Sequence, residues 1–133
     1  MGCPRVLVVE SDAAIREVLR ECLEAEGYPV CPAADYGEAR RMVEAGCSPV
    51  AVILDVAFPL DGALGTLRLL RETEWVHEAP LLLTTAFPVP AGARATAPVL
   101  EKPYELATLL ATLRAVLAAP RRDASLGLPA LPA

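Results

Sequence analysis

Short apolar runs alternate with amphipathic stretches along most of this chain. Val6-Leu7-Val8-Val9 is rich in β-branched residues and ends in Glu10, which predicts a strand buried on both faces. Asp12 follows as a helix N-cap, and Ile15, Val18, Leu19, Cys22 and Leu23 recur at steps of three and four, one apolar stripe of a helix. Gly27 is the residue that ends such a helix in a left-handed conformation. Val30 to Ala33 predicts a short strand at an edge, because Pro29 and Pro32 lack an amide donor. A second helix is expected over Glu38–Ala45, with Ala39, Met42 and Val43 inward and Gly46 as its stop.

The unbroken run Val50-Ala51-Val52-Ile53-Leu54 closes on Asp55, and Phe58-Pro59 and Asp61-Gly62 follow as turn residues. A helix is expected from about Gly62 to Glu72, with Leu64, Leu67 and Leu70 facing in, and then a fourth buried strand over Pro80–Thr85. Residues 86–98 carry three prolines and a glycine without an amphipathic period, so no stable helix is expected there. Val99-Leu100 forms a short strand before Lys102, and the last helix runs from about Glu105 to Ala118 on a stripe from Leu106 to Leu117. Residues 1–119 are thus one domain, and residues 120–133, with Arg121-Arg122 and many Gly, Pro and Ala, read as a disordered tail.

Five strands alternating with helices predict an α/β fold: a doubly wound, flavodoxin-like parallel sheet of order 2-1-3-4-5, its fourth helix short or absent. In that order the first and third strands are neighbours at the switch point, so Glu10 and Asp55 emerge side by side. Thr85 and Lys102 end the fourth and fifth strands on the same edge. Asp55 is the most informative of these, because a carboxylate at the end of a buried strand is costly to desolvate without a cationic or hydrogen-bonding partner. A plain turn-capping role for Asp55, a solvated Glu10, a surface Lys102 and a Thr85 satisfying a backbone carbonyl are the alternatives.

Composition narrows the field. Hydrophobic residues make up 54% of the 133, yet no run approaches the ~18 to 20 residues a membrane span needs. Gly2 and Cys3 suggest lipidation, but Val6 stands where a myristoylation pattern needs Ser or Thr. The net charge of −5 argues against nucleic acid as a direct partner. The four cysteines, Cys3, Cys22, Cys31 and Cys47, show no CxxC spacing beside a single histidine, which disfavours zinc. Cys22 and Cys31 read as small buried hydrophobes, reduced in a cytoplasmic protein. Adjacent carboxylates at a strand edge suit a hard cation such as Mg²⁺, and a carboxylate beside such a cation can attack phosphorus. Lys102 and the Thr85 hydroxyl could then meet phosphate oxygens.

Val8-Val9-Glu10, Leu54-Asp55 with Pro59 and Asp61-Gly62, Thr85-Ala86 and Lys102-Pro103-Tyr104 together resemble the receiver domain of two-component response regulators, over roughly residues 5–118. The resemblance implies phosphoryl transfer to Asp55 from a histidine kinase or phosphotransfer protein, with Mg²⁺ held weakly by Glu10, Asp55 and Ser11. It makes Thr85 the switch hydroxyl and Lys102 the phosphate-contacting lysine. It implies no enzyme beyond self-catalysed phosphorylation and dephosphorylation of Asp55. Signalling would pass through an unidentified downstream protein, with the chain a monomer or weak dimer. No output domain is expected after the last helix.

The sequence departs from the family in several places. Ser11 stands where receivers carry a second acid, Val99 where many carry an aromatic, and the connection from Asp55 to Gly62 is one residue short. Leu83-Thr84-Thr85-Ala86-Phe87 with Lys102-Pro103-Tyr104 looks like a drifted form of the subgroup with a Phe-Ala-Thr-Gly-Tyr-like signature. Ser11 also opens a second reading, an atypical receiver-like interaction module that is not phosphorylated. A flavin- or nucleotide-binding flavodoxin-like protein is disfavoured, since Glu10-Ser11-Asp12 would repel a phosphate.

Overall fold

The computed structural model describes residues 4–56, 79–89 and 97–118. Its elements run β1 (Pro4–Val9), α1 (Ala13–Ala25), β2 (Val30–Ala33), α2 (Tyr36–Glu44), β3 (Ser48–Asp55), β4 (Leu81–Thr85), β5 (Val99–Glu101) and α3 (Leu106–Ala118). The expected helix over 62–72, Trp75, His77 and the tail from residue 120 lie outside the described residues. Ala86–Val89 and Ala97-Pro98 carry no helix, in line with the proline content.

All strand pairs are parallel, in the order β2-β1-β3-β4-β5. Alternation along each strand sends successive side chains to opposite faces. Leu7, Val9, Val52, Leu54, Leu81 and Leu83 face one layer, which Ala39, Met42 and Val43 of α2 cover. Val6, Val8, Ala51, Ile53 and Leu82 face the other, covered by Leu19 and Leu23 of α1 and Leu109 and Leu113 of α3. Helices on both faces make the sheet doubly wound, with each fully buried Leu or Ile contributing about 1.5–3 kcal/mol.

The helix ends follow the sequence. Asp12 Oδ1 accepts from the amides of Ala14 (2.9 Å) and Ile15 (3.1 Å), and Gly27 sits at φ +92° behind α1. α2 begins two residues earlier than expected because Asp35 caps it, accepting from Glu38 N at 2.8 Å. Glu38 reaches back to the amide of Ala34 at 2.6 Å, so the cap is reciprocal. Four side chains depart from the expected burial, among them Cys22 of α1, which is only half-buried. Val18 is 48% and Leu106 37% exposed, and both line a surface groove rather than the core. Cys31 is half-buried at an edge strand, where one side stays open to solvent.

Candidate functional site

Strand register decides what meets at the carboxyl edge of the sheet. β1 and β3 are neighbours, with Val9 beside Leu54, so Glu10 and Asp55 leave the sheet together. Backbone bonds hold both ends in place: Glu10 N donates to Ala33 O at 2.9 Å and Val56 N to Thr84 O at 2.8 Å. Lys102 arrives from β5, its amide donating to Thr85 O at 2.6 Å. The Lys102–Pro103 peptide bond is cis.

One ammonium binds both acids. Lys102 Nζ lies 2.8 Å from Glu10 Oε1 and 3.0 Å from Asp55 Oδ1. Glu10 is only 2% exposed, and its second oxygen accepts from the amide of Asp12 at 3.0 Å. Burial alone would lower the Lys102 pKa, but hydrogen bonds and charge from Glu10 and Asp55 outweigh it and hold the ammonium above its ordinary value. A buried acid of this kind persists because a cation and an amide replace its water. Arg16 extends the support from α1, donating to the carbonyl of Glu10 at 2.7 Å.

The structure thus brings together Glu10, Asp55 and Lys102 as the sequence predicts. Thr85 is placed differently. The hydroxyl that donates to Asp55 Oδ1 is that of Thr84, at 3.2 Å. Asp55 pairs with Thr84 in the β3–β4 register, so these two side chains share a face, and Thr85 points to the other. Thr85 is fully buried, and its hydroxyl accepts from the amide of Phe87 at 3.1 Å. Two adjacent threonines at a strand end cannot be told apart by composition, and only the register separates them. Ser11 is exposed, and the described residues contain no group of three or more acids, cysteines or histidines able to hold a metal.

Sequence reasoning also missed a groove of about 510 Å³ between α1 and the start of α3. Ile15, Val18, Leu19, Pro103, Tyr104 and Leu106 give it apolar walls, with Lys102 at its edge. Its signal is the surplus of apolar residues on α1 beyond what the core accepts. The Tyr104 hydroxyl is buried without a hydrogen-bond partner among the described residues. Burial pushes its pKa up, Lys102 pulls it down, and Glu10 and Asp55 add to the rise.

No family model matches the chain. The response regulator MprA of Mycobacterium sp. (strain KMS) is 40% identical over 132 residues, which is 96% of this chain and 56% of that protein. The chain therefore spans about half the length of the curated relatives it matches. Among solved structures, chemotaxis protein CheY4 of Vibrio cholerae aligns with a TM-score of 0.68 at 28% identity, covering 87% of this chain and 99% of that one. Response regulator TrrA of Thermotoga maritima, solved in complex with Mg²⁺ and BeF, aligns with a TM-score of 0.69 at 26% identity, covering 86% and 99%. Among the described residues, no helix is long and apolar enough to cross a membrane.

Proposed function

We propose that this chain, a CheY-like receiver domain of the response regulators, accepts a phosphoryl group on Asp55 from a histidine kinase or phosphotransfer protein and signals through protein contacts. The observation that carries this reading is the Lys102 ammonium bridging Glu10 and Asp55 at 2.8 and 3.0 Å.

In the transfer, an Asp55 oxygen forms the new O–P bond as the P–N bond to the donor imidazole breaks. The imidazole nitrogen leaves with the electron pair and takes up a proton. Lys102 is positioned to follow the charge as it moves from the carboxylate to the phosphoryl oxygens. Thr84 orients Asp55 beforehand, and Thr85 serves as the switch hydroxyl if its bond with the Phe87 amide gives way. The apolar groove beside Lys102 is the approach for the partner that delivers the group.

The donor set fits Mg²⁺, which needs only one or two carboxylates and keeps several waters. Glu10 and Asp55 would hold it, with the Ser11 hydroxyl a weak neutral addition. When bound, the ion neutralises charge on the transferring oxygens. Incubation with acetyl phosphate and Mg²⁺, read by intact mass, tests the reading. Addition of one phosphoryl group that Asp55→Asn abolishes is expected. No addition, from acetyl phosphate or from a cognate kinase, would remove it.

Ser11 supports a second reading, a receiver-like interaction module that is not phosphorylated. Calorimetric Mg²⁺ titration separates the two. Binding by the natural chain, strengthened in Ser11→Asp, favours phosphotransfer, and binding seen only in the variant favours the module.

A further inference from the structure

Alternation along β1, β3 and β4 puts Glu10, Asp55 and Thr84 two residues beyond Val8, Ile53 and Leu82, on the face that α1 and α3 cover. Thr84 is only 1% exposed, and its backbone is fixed on both sides. Val56 N donates to Thr84 O at 2.8 Å, and the residue pairs with Asp55 on β3 and Leu100 on β5. The hydroxyl donates to Asp55 Oδ1 at 3.2 Å, and Lys102 Nζ lies 3.0 Å from the same oxygen. Among the described residues, both donors to this carboxylate fall on Oδ1, which leaves Oδ2 to meet phosphorus.

Building on the phosphotransfer reading of Asp55, we propose that Thr84 shortens the time a phosphoryl group stays there, by stabilising the carboxylate that hydrolysis releases. In the phosphorylated chain Oδ2 carries phosphorus, and Oδ1 is the carbonyl oxygen of an acyl phosphate. A water oxygen attacks phosphorus, the P–Oδ2 bond breaks, and its electron pair returns to the carboxylate, spread over both oxygens. The water proton passes to solvent and inorganic phosphate departs. Lys102 follows the phosphoryl oxygens, so Thr84 is the donor that stays on Oδ1 and meets the returning charge. A hydrogen bond to a charged acceptor is stronger than one to a neutral carbonyl, so the hydroxyl favours release.

Loading of Asp55 feels the hydroxyl differently. In a loose transition state the attacking carboxylate has formed little bond to phosphorus and keeps most of its charge. Thr84 then binds it about equally before and during attack, and such uniform binding leaves the rate unchanged. In hydrolysis the bond to the leaving carboxylate is largely broken and its charge is new. Loss of the hydroxyl therefore acts on one rate and spares the other, which a merely structural role would not do.

The test loads the full chain with acetyl phosphate and Mg²⁺, removes the acetyl phosphate by desalting, and follows intact mass with time. Thr84→Val keeps the shape and deletes the hydroxyl. It should lengthen the half-life of the phosphorylated form roughly threefold to tenfold, the weight of one net hydrogen bond, with loading within about twofold of the natural rate. Thr84→Ser should restore the natural half-life. Equal half-lives for the natural chain and Thr84→Val, or a variant that slows loading and loss alike, would overturn the proposal while the phosphotransfer reading stands. No loading of the natural chain would remove that reading and the proposal with it. Thr84→Ala deletes the same hydroxyl and decides the matter where Thr84→Val folds poorly.

Discussion

The two ends of strand β3 are built on different principles. At its finish, Asp55 joins Glu10 and Lys102, residues brought from three strands by the order of the sheet. At its start, Cys47 is tied to the helix before it, its amide donating to Met42 O at 3.0 Å. The carboxyl end depends on the whole topology, and its charges compensate one another only when every strand is in place. The amino end needs local geometry alone, and the fold would survive without it. One end is therefore coupled to global stability, and the other is a local matter.

Lys102→Ala should break this contrast most sharply. It leaves Glu10 buried without its cation, at a cost of about 3–5 kcal/mol, seen as a large fall in the urea midpoint. An unchanged midpoint would show that the carboxyl end does not depend on its ion cluster.

Alkaline pH should weaken both ends together. Cys47, Tyr104 and Lys102 are all raised from ordinary values of 9.0, 10.0 and 10.5. Each holds its proton more tightly folded than unfolded, so its contribution is complete below the unfolded value and is lost as pH climbs through the folded one. Thermal unfolding between pH 7 and 11 should show these contributions intact up to about pH 9 and declining above it. In Cys47→Ser the decline should begin later. The smallest effect belongs to Tyr104→Phe. Removing a buried hydroxyl with no partner should leave stability equal or raise it by about 1 kcal/mol, measured by the same urea titration. A loss would mean that the hydroxyl is satisfied by ordered water.

Much of this was legible in the chain. Apolar runs with two-face burial marked β1, β3 and β4, and alternation with helices set the sheet order that puts Glu10 beside Asp55. Which of Thr84 and Thr85 hydrogen-bonds Asp55 was not legible, because a shift of one residue reverses which face a side chain takes and composition does not record register. The groove escaped for a related reason. Val18 and Leu106 fit the core stripes of their helices, and periodicity does not distinguish a core neighbour from a solvent-facing wall.

The ammonium of Lys102 is separated from the acid it neutralises by 92 residues. A ribosome adding about 5–20 residues per second exposes Glu10 for on the order of ten seconds before that ammonium exists. During this interval the first strand cannot bury its terminal acid without penalty, so the nascent sheet stays open at its carboxyl edge. Competence at that edge is consequently acquired last, when the fifth strand docks, and a truncated chain would lack the charge that closes it.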